Sequence, residues 1–101
     1  MAKMKLSAGM DSQLNVIKVG RKEVWAYVTA CITSFNSGAK ELVIRARGQS
    51  ITRAIDVVNS LQRSFLKKID VVDIKISSDE FIEGDRIAWK STIEIRIALH
   101  G

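Results

Sequence analysis

Two short stretches carry the residue types that hold phosphate. Gly20-Arg21-Lys22 sets two cations directly after a glycine. Arg45-Ala46-Arg47-Gly48-Gln49-Ser50 sets two alternate arginines before a second glycine, with a hydroxyl close behind and Arg53 one turn further on. Arginine offers an oxyanion a planar fork of donors, and lysine offers a compact point charge. A glycine lets an anion approach the backbone, and the first amides of a helix add unpaired N–H groups and the positive end of the dipole. Both stretches fall where a strand pattern gives way to a helix pattern. The chemistry they suit is electrostatic capture of phosphate by Arg21, Lys22, Arg45, Arg47 and Arg53, with Gly48 and Gln49 supplying backbone and amide contacts.

Nothing comparable supports catalysis or metal binding. His100 is the single histidine and Cys31 the single cysteine. Asp79, Glu80, Glu83 and Asp85 lie close together but lack the ligand spacing of a calcium loop. The expectation is therefore a chain without catalytic residues, metal or cofactor. Cys31 sits on an apolar helical stripe and reads as a small core residue.

The elements that position the cations follow from periodicity. Leu14 to Val19 reads as a first strand ended by Gly20. Val24, Val28, Cys31, Ile32 and Phe35 recur at spacings of three and four, the stripe of an amphipathic helix, and Ser37-Gly38 stops it. Glu41 to Arg47 alternates, with Leu42, Ile44 and Ala46 on one side and Arg45 and Arg47 on the other. Ile51, Ala54, Ile55, Val58, Leu61 and Phe65 predict a second helix with Ser50 as its N-cap. Val71 to Ser77 and Trp89 to Leu99 alternate again, the first with Val72, Ile74 and Ile76 inward and the second with Ile93, Ile95, Ile97 and Leu99 inward. The polar segment between them predicts a hairpin whose tip projects. The expected class is α+β: a two-layer βαβαββ sandwich with a four-stranded mixed sheet, two helices on one face and an extended β-hairpin arm. Both strand-to-helix loops then fall at one edge of the sheet, so their cations converge. Residues 1–13 lack any period and read as a flexible leader, with residues 14–101 forming one domain.

Charge agrees with that placement. From Lys18 to Arg53, seven cations face two acids and give +5, while the nine cations and nine acids elsewhere cancel. The whole net charge thus sits in about a third of the chain, as a localised footprint for a polyanion would. At 101 residues with 47% hydrophobic and 27% charged residues, the chain suits one compact core. No apolar run reaches the roughly 18 residues of a membrane span, and no secretory leader is legible, so no membrane partner and an intracellular location are expected.

The stretches VGRKEVWAYV, ELVIRARGQSITRAIDVV and STIEIRI together resemble the Alba (Sac10b) family of small chromatin and RNA-binding proteins. The resemblance runs from about Asn15 to Leu99. It implies a homodimer, double-stranded DNA or RNA held by a basic body, and two hairpin arms reaching along the minor groove, which brings Arg86 and Lys90 into the binding set. It matches Arg21 and Lys22 to the family's paired basic residues, and Arg47 to the arginine before the motif glycine. It makes Lys22 the candidate for acetylation, with a protein deacetylase as a partner, and Phe65 a candidate dimer–dimer contact in higher-order assembly on nucleic acid. Phe65 equally suits plain core. Trp25 and Trp89 suit a dimer seam more than stacking on bases. The implied location is the chromosome, in nucleus or nucleoid, or the cytoplasm. Glu23 and Gln49 stand where relatives carry a proline and an arginine, and Ser78–Lys90 is net −2, unlike the basic arms of many relatives. Two rival readings follow from that arm: a protein acting mainly on RNA in translation control or processing, and a protein-interaction subunit whose acidic arms recruit basic partners.

Overall fold

The computed structural model describes residues 15–65 and 67–100; the leader expected over residues 1–13 lies outside them. Six elements follow in the expected order: β1 (Asn15–Lys18), α1 (Val24–Asn36), β2 (Glu41–Arg47), α2 (Ser50–Ser64), β3 (Ile69–Glu83) and β4 (Arg86–Leu99). They form one four-stranded sheet in the order β1-β2-β4-β3. β1 runs parallel to β2, and β4 runs antiparallel to both β2 and β3. The two connections through helices make β1, β2 and β3 parallel, so the carboxyl ends of β1 and β2 share one edge.

The core lies between the helices and one sheet face. Leu42, Ile44 and Ala46 of β2 and Ile93, Ile95 and Ile97 of β4 are buried there against Cys31 and Phe35 of α1 and Ala54, Val57, Val58 and Leu61 of α2. The alternation in β2 holds throughout, so burying Ala46 turns Arg45 and Arg47 outward. At the end of α1, Gly38 has φ 113°, and the N–H of Ala39 donates to the Ser34 carbonyl, a wrap that favours glycine. Cys31 is fully buried, and burial pushes its thiol up from 9.0 to about 12. The native thiol is therefore expected to resist maleimide and iodoacetamide until denaturant is added. Because the unfolded thiol ionises first, its linkage leaves stability intact below pH 9 and erodes it from there toward 12.

Three sequence expectations need correction. Ser50 is the first residue of α2, not its cap; Gln49 takes the cap position without a side-chain bond, and the Ser50 hydroxyl donates instead to the Gly20 carbonyl at 3.3 Å. Ile55 is exposed, and Val57 takes its place in the core, because the buried stripe of α2 turns toward β2. Val72, Ile74 and Ile76 are also exposed. The ladder slips between Val71 and Asp73, and β3 is the edge strand, where helix cover ends at Ile69.

The arm is longer and more regular than a polar loop. The β2 ladder stops at Arg47 opposite Thr92, and beyond it Ser78–Glu83 and Arg86–Ser91 continue as a two-stranded ladder, tied to the body at its base by the Gly48 N–H to the Ser91 carbonyl. Six residues of strand project by about 20 Å. Gly84, at φ 68°, opens the two-residue turn in the left-handed region that tight hairpins need.

Candidate nucleic-acid interface

The shared edge of β1 and β2 opens into a concavity of about 1020 Å³. Lys18, Arg21, Arg45, Arg47, Arg53 and Lys90 supply its cations, and Gly48, Gln49 and Ser50 its turn. Seven of the nine residues read from sequence as binding residues therefore meet at one place: Arg21, Arg45, Arg47, Gly48, Gln49, Arg53 and Lys90. Lys22 lies exposed just outside it, and Arg86 stands at the far end of the arm, paired across from Glu83. Phe65 follows α2, half-buried, with its ring stacked on Phe35 at a centroid distance of 5.8 Å. Trp25 and Trp89 are exposed.

The loop after β1 is held from three sides. The Val19 N–H donates to the Arg45 carbonyl at 2.8 Å, which ties the loop to β2. The Tyr27 hydroxyl of α1 accepts from the N–H of Gly20 at 2.8 Å and of Lys22 at 3.1 Å. The Gly20 carbonyl accepts from Arg53 Nη1 at 2.8 Å as well as from Ser50. One donor of Arg53 thus joins the two phosphate-type junctions, while the guanidinium retains others for an anion. Tyr27 escaped the sequence reading, although its position three residues after Val24 and four before Cys31 puts it on the helical stripe. Tyr27→Phe removes the acceptor for two amides. It is expected to cost about 1–2 kcal/mol in urea denaturation, with the loop amides exchanging faster by hydrogen-exchange NMR.

Gly48 closes the second junction. Its φ of 57° lies in the left-handed region, its N–H donates to the Ser91 carbonyl at 2.8 Å, and a Cβ there would stand 3.3 Å from Lys90 Cδ. The glycine therefore lets the lysine stem lie against the turn, and Lys90 Nζ sits 5.8 Å from the Phe81 ring centroid.

Two groove arginines already have acidic partners. Glu94 Oε2 accepts from both Nε and Nη2 of Arg45 at 2.9 Å. Arg47 Nη1 reaches across β4 to Asp79 Oδ2 at 3.5 Å. On the sheet face away from the helices, Asp73–Arg96, Lys75–Glu94, Asp79–Lys90 and Glu83–Arg86 stand directly opposite one another, a ladder of alternating charge. Asp79 and Glu94 were legible only as acids; their place beside the arginines required the register.

Elsewhere, His100 Nδ1 lies 2.8 Å from Asp70 Oδ2, a carboxylate partner that the sequence spacing did not reveal. Among the described residues, no three potential metal ligands cluster, and no helix is long and apolar enough to cross a membrane.

A family model described as Alba matches residues 15–78. The DNA/RNA-binding protein Alba 1 of Archaeoglobus fulgidus is 46% identical over 84 residues, which span 83% of this chain and 94% of that protein. The DNA/RNA-binding protein Alba of Methanothrix thermoacetophila is 51% identical over 65 residues, 64% of this chain and 73% of its own. Among solved structures, Alba from Thermoplasma volcanium is similar with a TM-score of 0.78 and 31% identity, covering 83% of this chain and 99% of that one. ALBA1 from Trypanosoma brucei is similar with a TM-score of 0.70 and 26% identity, covering 84% and 68% respectively.

Proposed function

The chain belongs to the Alba family, and from that premise we propose that it binds DNA and RNA without sequence preference, as a homodimeric architectural protein of chromatin. One observation carries the reading: Lys18, Arg21, Arg45, Arg47, Arg53 and Lys90, drawn from both strand-to-helix junctions and the base of the arm, line one open concavity. Cations so arranged neutralise several phosphates at once and release their counterions. The cations lining the concavity lie on strands, loops and the first turn of α2 and are placed to meet phosphate, so the contacts position the polymer and carry no sequence information. The relatives' names, DNA/RNA-binding protein Alba, point to the same ligands.

Exposed apolar residues support the homodimer. Ile74, Ile76, Ile82, Ile87 and Trp89 share the helix-side face of β3, β4 and the arm, with Trp89 64% and Ile76 77% exposed. A row of this size on a soluble domain marks an interface. Lys22, exposed beside the groove mouth, suits acetylation: losing its charge weakens phosphate attraction, and a protein deacetylase reverses the change. Location on the chromosome follows from binding there.

A second reading, RNA as the main ligand in translation control or processing, draws on the arm. Lys90 stands opposite Asp79 and Arg86 opposite Glu83, so acidic neighbours weaken the field of the arm's cations where a B-form minor groove would need it. Fluorescence anisotropy with matched duplex DNA and single-stranded RNA, titrated across salt, tests both readings. A steep log–log slope on either polymer is the expected result, and the tighter ligand names the target. Salt-insensitive or absent binding to both would sink the proposal and favour a protein partner for the acidic arm.

A further inference from the structure

We propose that Asp79 and Glu94 are affinity-limiting residues of the groove: each carboxylate occupies an arginine that a phosphate must take over, so nucleic acid binds by displacing the protein's own anions. This rests on the nucleic-acid reading above. The geometry is specific to these two acids. Glu94 holds Arg45 through two nitrogens at 2.9 Å, and Asp79 holds Arg47 at 3.5 Å. Both carboxylates line the same concavity as the arginines. All four side chains are between about a third and two thirds exposed, so a polyanion reaches them without unfolding anything. Asp79 also stands opposite Lys90, which places it between two groove cations.

The mechanism is ion exchange within the site. A phosphate that takes Arg47 releases a condensed cation from the polymer, while the freed Asp79 takes up a cation from solution. The two nearly cancel, so a pre-paired arginine adds strength to binding but little to its salt dependence. Exposed pairs contribute little to folding, so their removal leaves the fold in place.

Asp79→Asn and Glu94→Gln test the inference, with Asp85→Asn at the hairpin turn as a control for net charge alone. Affinity and salt slope are measured by anisotropy on duplex DNA and on single-stranded RNA, with circular dichroism verifying the fold. The expected result is a slope steeper by about one ion per groove for each of the two test variants. Affinity at low salt should rise roughly three- to tenfold, and the control should shift far less. If Asp79→Asn and Glu94→Gln match Asp85→Asn in both slope and affinity, the carboxylates are bystanders and the inference fails while nucleic-acid binding stands. If the wild-type chain itself shows no salt-dependent binding, the functional reading fails first. Should Glu94→Gln perturb the central strand, Asp79→Asn on the projecting arm still decides the question.

Discussion

Arg47→Glu is expected to lower affinity for duplex DNA and for RNA by tenfold or more, uniformly across sequences, with little change in salt slope because Asp79 already pairs with Arg47 in the free chain. The substitution removes a cation from the concavity and leaves an anion beside Asp79, so two carboxylates then face the incoming phosphates. Uniformity follows because a phosphate contact carries no base information. The fold is expected to survive. Arg47 is exposed at the end of β2 with its side chain 64% accessible, while the packing is done by Ala46 on the opposite face. Thermal denaturation within about 0.5 kcal/mol of wild type should confirm this. Anisotropy on three unrelated duplexes and one RNA measures the effect. Unchanged affinity on all four would remove Arg47 from the interface, and a loss confined to one sequence would mean that it reads bases.

The contrast between Arg47 and Asp79 shows what could be read from sequence. Strand β2 was legible residue by residue, because alternation over ELVIRAR leaves one way to bury Leu42, Ile44 and Ala46, and that choice aims both arginines outward. The convergence of the two junctions followed from topology, since parallel strands bring their carboxyl ends to one edge. Tertiary partners were not legible. The pairing of Arg45 with Glu94 spans 49 residues and depends on β4 lying between β2 and β3, an order that alternation alone does not specify. Ile74 and Ile76 alternate as faithfully as the residues of β2 yet stay exposed, because periodicity reports which face a residue takes and not whether that face is covered. Ser50 has the right chemistry for a cap, but the Gly20 carbonyl competes for its hydroxyl across 30 residues.

The uncovered apolar face leads to the prediction with the largest structural consequence. β3 is a 15-residue edge strand with open backbone groups, and most of its apolar side chains face the helix side beyond the reach of either helix. Left in water, such an edge invites association. In the proposed homodimer a second copy covers it, and the association draws on every apolar side chain withdrawn from solvent, at about 25 cal/mol per Å². Ile76→Asp sets a charge in the middle of that row, where it must either keep its water or be buried unpaired, and the second is prohibitive. The variant is expected to sediment as a single chain of 11.2 kDa, whereas the wild type sediments at twice that mass. Because Ile76 is 77% exposed in the single chain, the substitution should leave the monomer's own fold and circular dichroism unchanged. Nucleic-acid binding should weaken by orders of magnitude and its salt slope fall by about half, since one groove then engages the polymer where two did before. A wild-type chain that sediments as a monomer at every concentration tested would refute the homodimer. A variant that stays dimeric would instead move the seam away from β3, toward the face of α1 that exposes Trp25.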